Sequence, residues 1–262
     1  MRPIESLPES MELARGLGFD PVGAPMIEMK KVSGNEFRSF LVALSNRSIY
    51  LCLVMSENVI KFAIENADAY VPKDRFLSQL GHCRVIAIGN QTAESLRKVG
   101  LEPSDVPEVV TIKGLVSYLS SQYDLVGKRV EVLTSSKGSK MLAERLIDMG
   151  VEVHVLPLYT IELPEDLSEP TKLIQMAIRR EIDIFAFTSA RTVTHFLEIA
   201  NELGVREKVA DILNDKIVAA MSHSTRKRLE EEGIGVMITP KNPTFEDLLG
   251  TIGLGLGIAP PE

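Results

Sequence analysis

The stretch Ile182-Asp183-Ile184-Phe185-Ala186-Phe187-Thr188-Ser189-Ala190-Arg191 decides how this chain folds. Its first six residues are mostly Ile and Phe, the pattern of a short buried strand. The hydroxyls of Thr188 and Ser189 then introduce an amphipathic segment from Thr192 to Leu203. A buried strand that turns into a helix in this way is a building unit of a parallel sheet. The same unit occurs earlier, where the apolar run Ile49 to Met55 leads into Ser56-Glu57-Asn58.

The likeness extends over a whole register. Ser56, Thr92, Leu96, Gly100, Thr111 and Leu115 return 133 residues later as Ser189, Thr225, Leu229, Gly233, Thr244 and Leu248. Gly18 and Pro25 return at an offset of 132 as Gly150 and Pro157. This period is too long for a solenoid unit and suits a small α/β domain, so two related domains are expected, with a ligand cleft between them.

Arg84 to Ile88, Val130 to Leu133, Val151 to Leu156, Ile217 to Met221 and Val236 to Thr239 read as further buried strands. Ser139 to Met149 and Ser224 to Glu232 read as further helices, with Gly150, Gly204 and Gly233 at the C-terminal stops. Alternation of strand and helix implies parallel sheets with helices on both faces, and such sheets bind ligands at the carboxyl ends of their strands. There Ile88 is followed by Gly89-Asn90-Gln91-Thr92, and Met221 by Ser222-His223-Ser224-Thr225. Hydroxyls beside free amides at the positive end of a helix suit carboxylates or phosphates, although the same Ser and Thr residues serve equally as N-caps.

Composition sets limits. The 262 residues suffice for two cores of about 130 residues each. No run of about 18 apolar residues and no opening signal segment is present, so a cytoplasmic protein with no membrane contact is expected. A net charge of -7 argues against a nucleic-acid partner. Cys52 and Cys83 lie in apolar stretches and read as reduced core residues, and His82, His154, His195 and His223 show no metal-ligand spacing. Gly253-Leu254-Gly255-Leu256-Gly257 reads as a flexible tail and Glu230-Glu231-Glu232 as an exposed helix end.

An ordered set of motifs resembles the uroporphyrinogen-III synthase family. It comprises Phe187-Thr188-Ser189 with Val193 and Phe196, the Ile88 to Thr92 turn, Leu158-Tyr159 after a strand, and Thr239-Pro240-Lys241-Asn242-Pro243-Thr244 with Leu248 and Leu249 beyond. The resemblance covers nearly the whole chain. It implies a lyase of tetrapyrrole and heme biosynthesis that closes hydroxymethylbilane into uroporphyrinogen III with inversion of ring D and loss of water. No metal or organic cofactor is implied, and a monomer is expected. The implied fold is two similar flavodoxin-like α/β domains joined by a two-stranded hinge around the cleft. One domain would comprise residues 1–31 plus 161–262 and the inserted one residues 32–160; the repeat alone equally allows a cut near residue 126.

Carried over by motif, Tyr159 is the candidate general acid for departure of the hydroxyl. Ser56, Thr92, Ser189 and Thr225 match positions expected to contact substrate carboxylates. Asn58, Ser222 and Ser224 lie in the same turns. Arg191 is the preferred cation for an anionic substrate, with Lys137 and Lys140 as weaker candidates. Three departures from the family pattern stand out. Arg2-Pro3 has no full strand before it, leaving one sheet short of a strand or the start upstream; Met55 replaces a Thr; and Met221-Ser222-His223 replaces a glycine turn, which puts that turn's geometry in question. The rival reading is a non-catalytic two-domain binder of a small anion.

Overall fold

The structure, a computed structural model, describes residues 2–3, 6–108, 111–136 and 138–257. In chain order its elements begin with β1 (Arg2–Pro3), α1 (Leu7–Gly16) and β2 (Pro25–Lys31). Next come α2 (Asn35–Ser45), β3 (Leu51–Val54), α3 (Glu57–Ala67), α4 (Lys73–Leu80), β4 (Arg84–Ala87) and α5 (Asn90–Lys98). They continue with α6 (Ile112–Gln122), β5 (Arg129–Ser135), α7 (Lys140–Asp148), β6 (Glu152–Glu162), α8 (Ser168–Ile178), β7 (Ile184–Phe187) and α9 (Ala190–Glu202). The last are α10 (Arg206–Asn214), β8 (Ile217–Ala220), α11 (His223–Glu231) and α12 (Phe245–Gly255).

Two compact units result, one from Met1–Glu28 with Glu162–Glu262, the other from Met29–Ile161. The chain passes between them twice, once within β2 and once within β6. In the 29–161 unit, β6, β5, β3 and β4 lie side by side, and β3 pairs in parallel with both β5 and β4. All four residues of β3 are buried, because helices cover both faces of a central parallel strand. In the other unit β7 pairs in parallel with β8, and β1 with β2.

The repeat is preserved down to single pairings. Leu51 pairs with Arg84 and Ile184 with Ile217; the isolated bridge Ile86 to Asp105 reappears as Ala219 to Ile238. At the 132 offset, Thr134 to Pro157 and Ser135 to Tyr159 reappear as Arg2 to Pro25 and Pro3 to Ile27, with the same shift of register between the two pairs. The helix stops Gly100 and Gly233 both take left-handed backbone, at φ of 85° and 75°, where a Cβ would be strained.

Four expectations need correcting. Val236 to Thr239 is not a strand; only Ile238 bridges to Ala219, the same economy seen at Asp105 in the other unit. Gly253 and Gly255 belong to α12, held by the buried face of Leu248, Leu249 and Ile252, so the glycine run is not a loose tail. Glu232 is not an exposed helix end: it is largely covered and pairs with both Arg206 and Arg228. Finally, the strand around Arg2-Pro3 is present as the two-residue β1. Among the described residues no helix is long and apolar enough to cross a membrane.

Candidate functional site

In the 29–161 unit, β3, β4 and β5 run in parallel, so their carboxyl ends reach the same edge of the sheet and deliver the N-termini of α3, α5 and α7 there. Ser56 caps α3 in extended backbone, but its side chain makes no cap bond. Its Oγ lies 3.0 Å from the Tyr159 phenol oxygen, and either oxygen can donate. Tyr159, from β6, is 5% exposed, and its ring stacks on Phe62 of α3 at 4.9 Å between centroids. Strand and helix thus fix the phenol from two sides. Asn58, the second residue of α3, is half-buried beside this pair in sequence.

The β4 turn has another construction. Gly89, at φ 89°, precedes α5, and the Thr92 hydroxyl donates to the Ile88 carbonyl at 2.8 Å. Thr92 is 3% exposed, so its hydroxyl serves the turn.

A third turn lies at this edge, where the sequence reading named Lys137 and Lys140 but not the hydroxyls. After β5, the Ser136 amide donates to the Tyr159 carbonyl at 2.8 Å and the Ser139 hydroxyl donates to Thr134 Oγ1 at 3.1 Å. A Cβ on Gly138 would lie 2.3 Å from that same Thr134 oxygen, so a larger residue there would displace the Thr134 hydroxyl. The signal was available: an apolar run ending at Leu133 passes into Thr134-Ser135-Ser136, the pattern of the other turns. Lys137 lies outside the described residues. Lys140 is exposed and 3.9 Å from Glu144 on its own helix, the arrangement of a surface charge.

In the other unit, Ser189 caps α9 in a full capping box: its Oγ accepts the Thr192 amide at 3.2 Å, and Thr192 Oγ1 accepts the Ser189 amide at 3.3 Å. Arg191 follows within the first turn of α9 and is half-buried. Among the described residues nothing forms a hydrogen bond or ion pair with its guanidinium. Ser222 caps α11, accepting the Thr225 amide at 3.3 Å, and its Oγ also bonds the hydroxyls of Ser224 at 3.0 Å and Thr225 at 2.8 Å. Thr225 is fully buried, whereas His223 and Ser224 are exposed. The Ser222 turn runs in extended backbone at φ -144° where Gly89 is left-handed, so the substitution of glycine here converts the turn into an ordinary serine cap.

Two kinds of buried acid group lie away from these turns. Glu131 on β5 is 2% exposed and accepts two hydrogen bonds from Arg129, at 2.8 and 2.6 Å; burial nevertheless raises its pKa, outweighing the guanidinium. Burial also lifts the free thiols, Cys52 well above its ordinary value and Cys83 to about 11, which leaves both protonated and unreactive at neutral pH. Among the described residues no group of three or more His, Cys, Asp or Glu side chains is placed to hold a metal ion.

The residues thus build a mixed α/β fold with parallel sheets, hydroxyl-bearing turns at the strand ends and a buried phenol beside one of them. The family model for uroporphyrinogen-III synthase HemD matches residues 9–250, and the chain belongs to that family. It is 29% identical over 256 residues to a Methanothermobacter thermautotrophicus protein named "Putative uroporphyrinogen-III synthase", spanning 98% of this chain and 97% of that one. It is 25% identical over 194 residues to the uroporphyrinogen-III synthase of Chlorobaculum parvum, spanning 72% and 74%. The fold matches a crystal structure of a mutant uroporphyrinogen III synthase from Thermus thermophilus with a TM-score of 0.67 and 23% identity, over 97% of this chain and 96% of that one.

Proposed function

We propose that this chain converts hydroxymethylbilane to uroporphyrinogen III, and that the strand-end turns of both units hold the substrate. The observation that carries the reading is the family match over residues 9–250. The turns supply what a substrate with eight carboxylates needs from a chain of net charge -7: amides, hydroxyls and the guanidinium of Arg191, which has no partner among the described residues.

In this reading the bond between the terminal hydroxymethyl carbon and its oxygen breaks. The oxygen takes a proton and leaves as water, and the resulting azafulvene cation is attacked by the substituted carbon of ring D to form a spiro intermediate. Fragmentation and reclosure, with loss of a proton, give the III isomer. A phenol is protonated at neutral pH and can donate that first proton. Ser56 is a positioning residue: when its hydroxyl donates to the Tyr159 oxygen, the phenolic hydrogen is directed away from Ser56 and toward the leaving oxygen. Thr92 and Thr225 hold their turns from within while the backbone amides meet the carboxylates. Because unassisted closure gives isomer I, the main task is to hold the bilane in the conformation that favours the spiro route.

The two units serve as the two domains of this reading, with β2 and β6 as the hinge segments between them, and the chain works as a cytoplasmic monomer without metal or organic cofactor. The test is to supply freshly generated hydroxymethylbilane, oxidise the products and separate the uroporphyrin isomers. Isomer III above the spontaneous background supports the enzyme, and isomer I alone favours the binder.

A further inference from the structure

The duplication carries a change of charge at the edge where the strands begin. In the unit that holds β7 and β8, Arg180 precedes β7 in left-handed backbone at φ 62°, and its Nη2 donates to Asp215 Oδ2 at 2.8 Å. Next in sequence to Asp215, Lys216 donates to Asp183 Oδ1 at 2.7 Å. These four charges cancel. At the offset of 133, Arg180, Asp215, Lys216 and Asp183 correspond to Arg47, His82, Cys83 and Tyr50 of the other unit. Arg47 keeps the left-handed backbone, at φ 53°, which is strained for a residue with a Cβ. Both acids are gone: Arg47 Nη2 donates instead to His82 Nε2 at 3.4 Å, a long contact without a counter-charge. Ile217, which opens β8, corresponds to Arg84, which opens β4, so a second guanidinium is added.

Arg47, Ser48, Tyr50, His82 and Arg84 line one pocket of about 510 Å³ within the 29–161 unit. The Arg84 guanidinium lies over the Tyr50 ring, 4.5 Å from its centroid, and the Lys128 ammonium lies 5.9 Å from the same centroid. The ring face attracts both cations and restrains the planar guanidinium. Among the described residues no acid side chain forms an ion pair with Arg47, Arg84 or Lys128. Asp105, which like Arg84 acts on the Tyr123 phenol, accepts the Val106 amide at 2.8 Å. A chain of net charge -7 thus gathers cations without acid partners in one concave place.

We infer that this pocket binds the phosphate group of a small phosphate monoester. The other copy of the fold shows where an acid group sits against the left-handed arginine, because there the Asp215 carboxylate fills that place from within. Two guanidiniums call for two negative charges, which a phosphate dianion carries and a single carboxylate does not, and the forked donors of arginine match phosphate oxygens. The volume leaves room beyond the phosphate for a small organic group. The pocket stands at the amino ends of β3 and β4, whereas Ser56 and Tyr159 stand at the carboxyl edge of the same sheet. The inference therefore holds whether or not the proposed reaction is correct.

The test titrates the folded chain with inorganic phosphate, and separately with acetate, at constant ionic strength, and follows backbone amide shifts by nuclear magnetic resonance. Phosphate is expected to shift the amides of Ser48, Tyr50 and Arg84 saturably, and acetate to bind at least tenfold more weakly. Arg47→Gly removes one guanidinium at a φ that glycine adopts without strain, and should weaken phosphate about tenfold while the thermal midpoint holds. His82→Asp installs the acid of the other copy, and should abolish the saturable shifts while the thermal midpoint holds or rises. Shifts that never saturate, equal affinity for acetate, or phosphate affinity unchanged in both folded variants would overturn the inference.

Discussion

The Ser56 hydroxyl and the Tyr159 phenol, 103 residues apart in sequence, meet at 3.0 Å at the carboxyl edge of one sheet. Phe62 holds the phenol ring from the α3 side. In the proposed reaction this pair delivers the proton that releases water.

Tyr159→Phe is accordingly expected to lower kcat several-fold without abolishing turnover, since the turns would still fold the bilane. Ser56→Ala should lower kcat by a smaller factor, and the double variant should match Tyr159→Phe alone, because the serine acts through the phenol. Unchanged kinetics in Tyr159→Phe would remove it from the chemistry.

The caps at Ser189 and Ser222 separate stability from binding. Alanine at either position should cost about 1 kcal/mol, read by denaturant titration, because each hydroxyl accepts a backbone amide. Aspartate caps a helix as well as serine does, so Ser189→Asp should keep stability while its charge repels substrate carboxylates and raises KM. A KM equal to that of the parent chain would mean the turn is only a cap.

Arg191→Ala should leave the thermal midpoint in place, because no described residue depends on the guanidinium, while KM rises roughly tenfold, the size of one charge-assisted hydrogen bond. A loss of stability with KM intact would assign Arg191 to the structure instead.

Glu131 makes a prediction in pH. Its pKa is raised in the folded chain by burial, so the folded state favours the protonated acid and loses stability as pH rises through that raised value. Glu131→Gln, which can still accept from Arg129, should raise the thermal midpoint at neutral pH. The gain should shrink as the solution is acidified below the ordinary carboxylate range. A gain that is constant across pH would assign the effect to packing.

Much of this was legible in the residues themselves. Ser56, Ser189 and Ser222 read as helix starts because a hydroxyl follows a buried strand, and each stands at the start of a helix, with the hydroxyls of Ser189 and Ser222 accepting a backbone amide there. The bond between Ser56 and Tyr159 was not legible, since it depends on how β6 pairs with β5 and on the register shift at Ser135. Thr92 and Thr225 read as candidates to contact substrate carboxylates, with a helix cap as the alternative; one turn of helix carries both inward, where their hydroxyls make local bonds. The α12 glycines read as a tail because no helix pattern follows them, yet they close a helix whose Leu248 and Ile252 are buried, and that packing outweighs the poor helix propensity of glycine.

The most direct measurement is the ratio of uroporphyrinogen isomers formed from fresh hydroxymethylbilane as a function of the concentration of this chain. The account predicts that isomer III rises in proportion to the chain while isomer I falls toward zero. A product that stays isomer I at the spontaneous rate, however much folded chain is added, would contradict it.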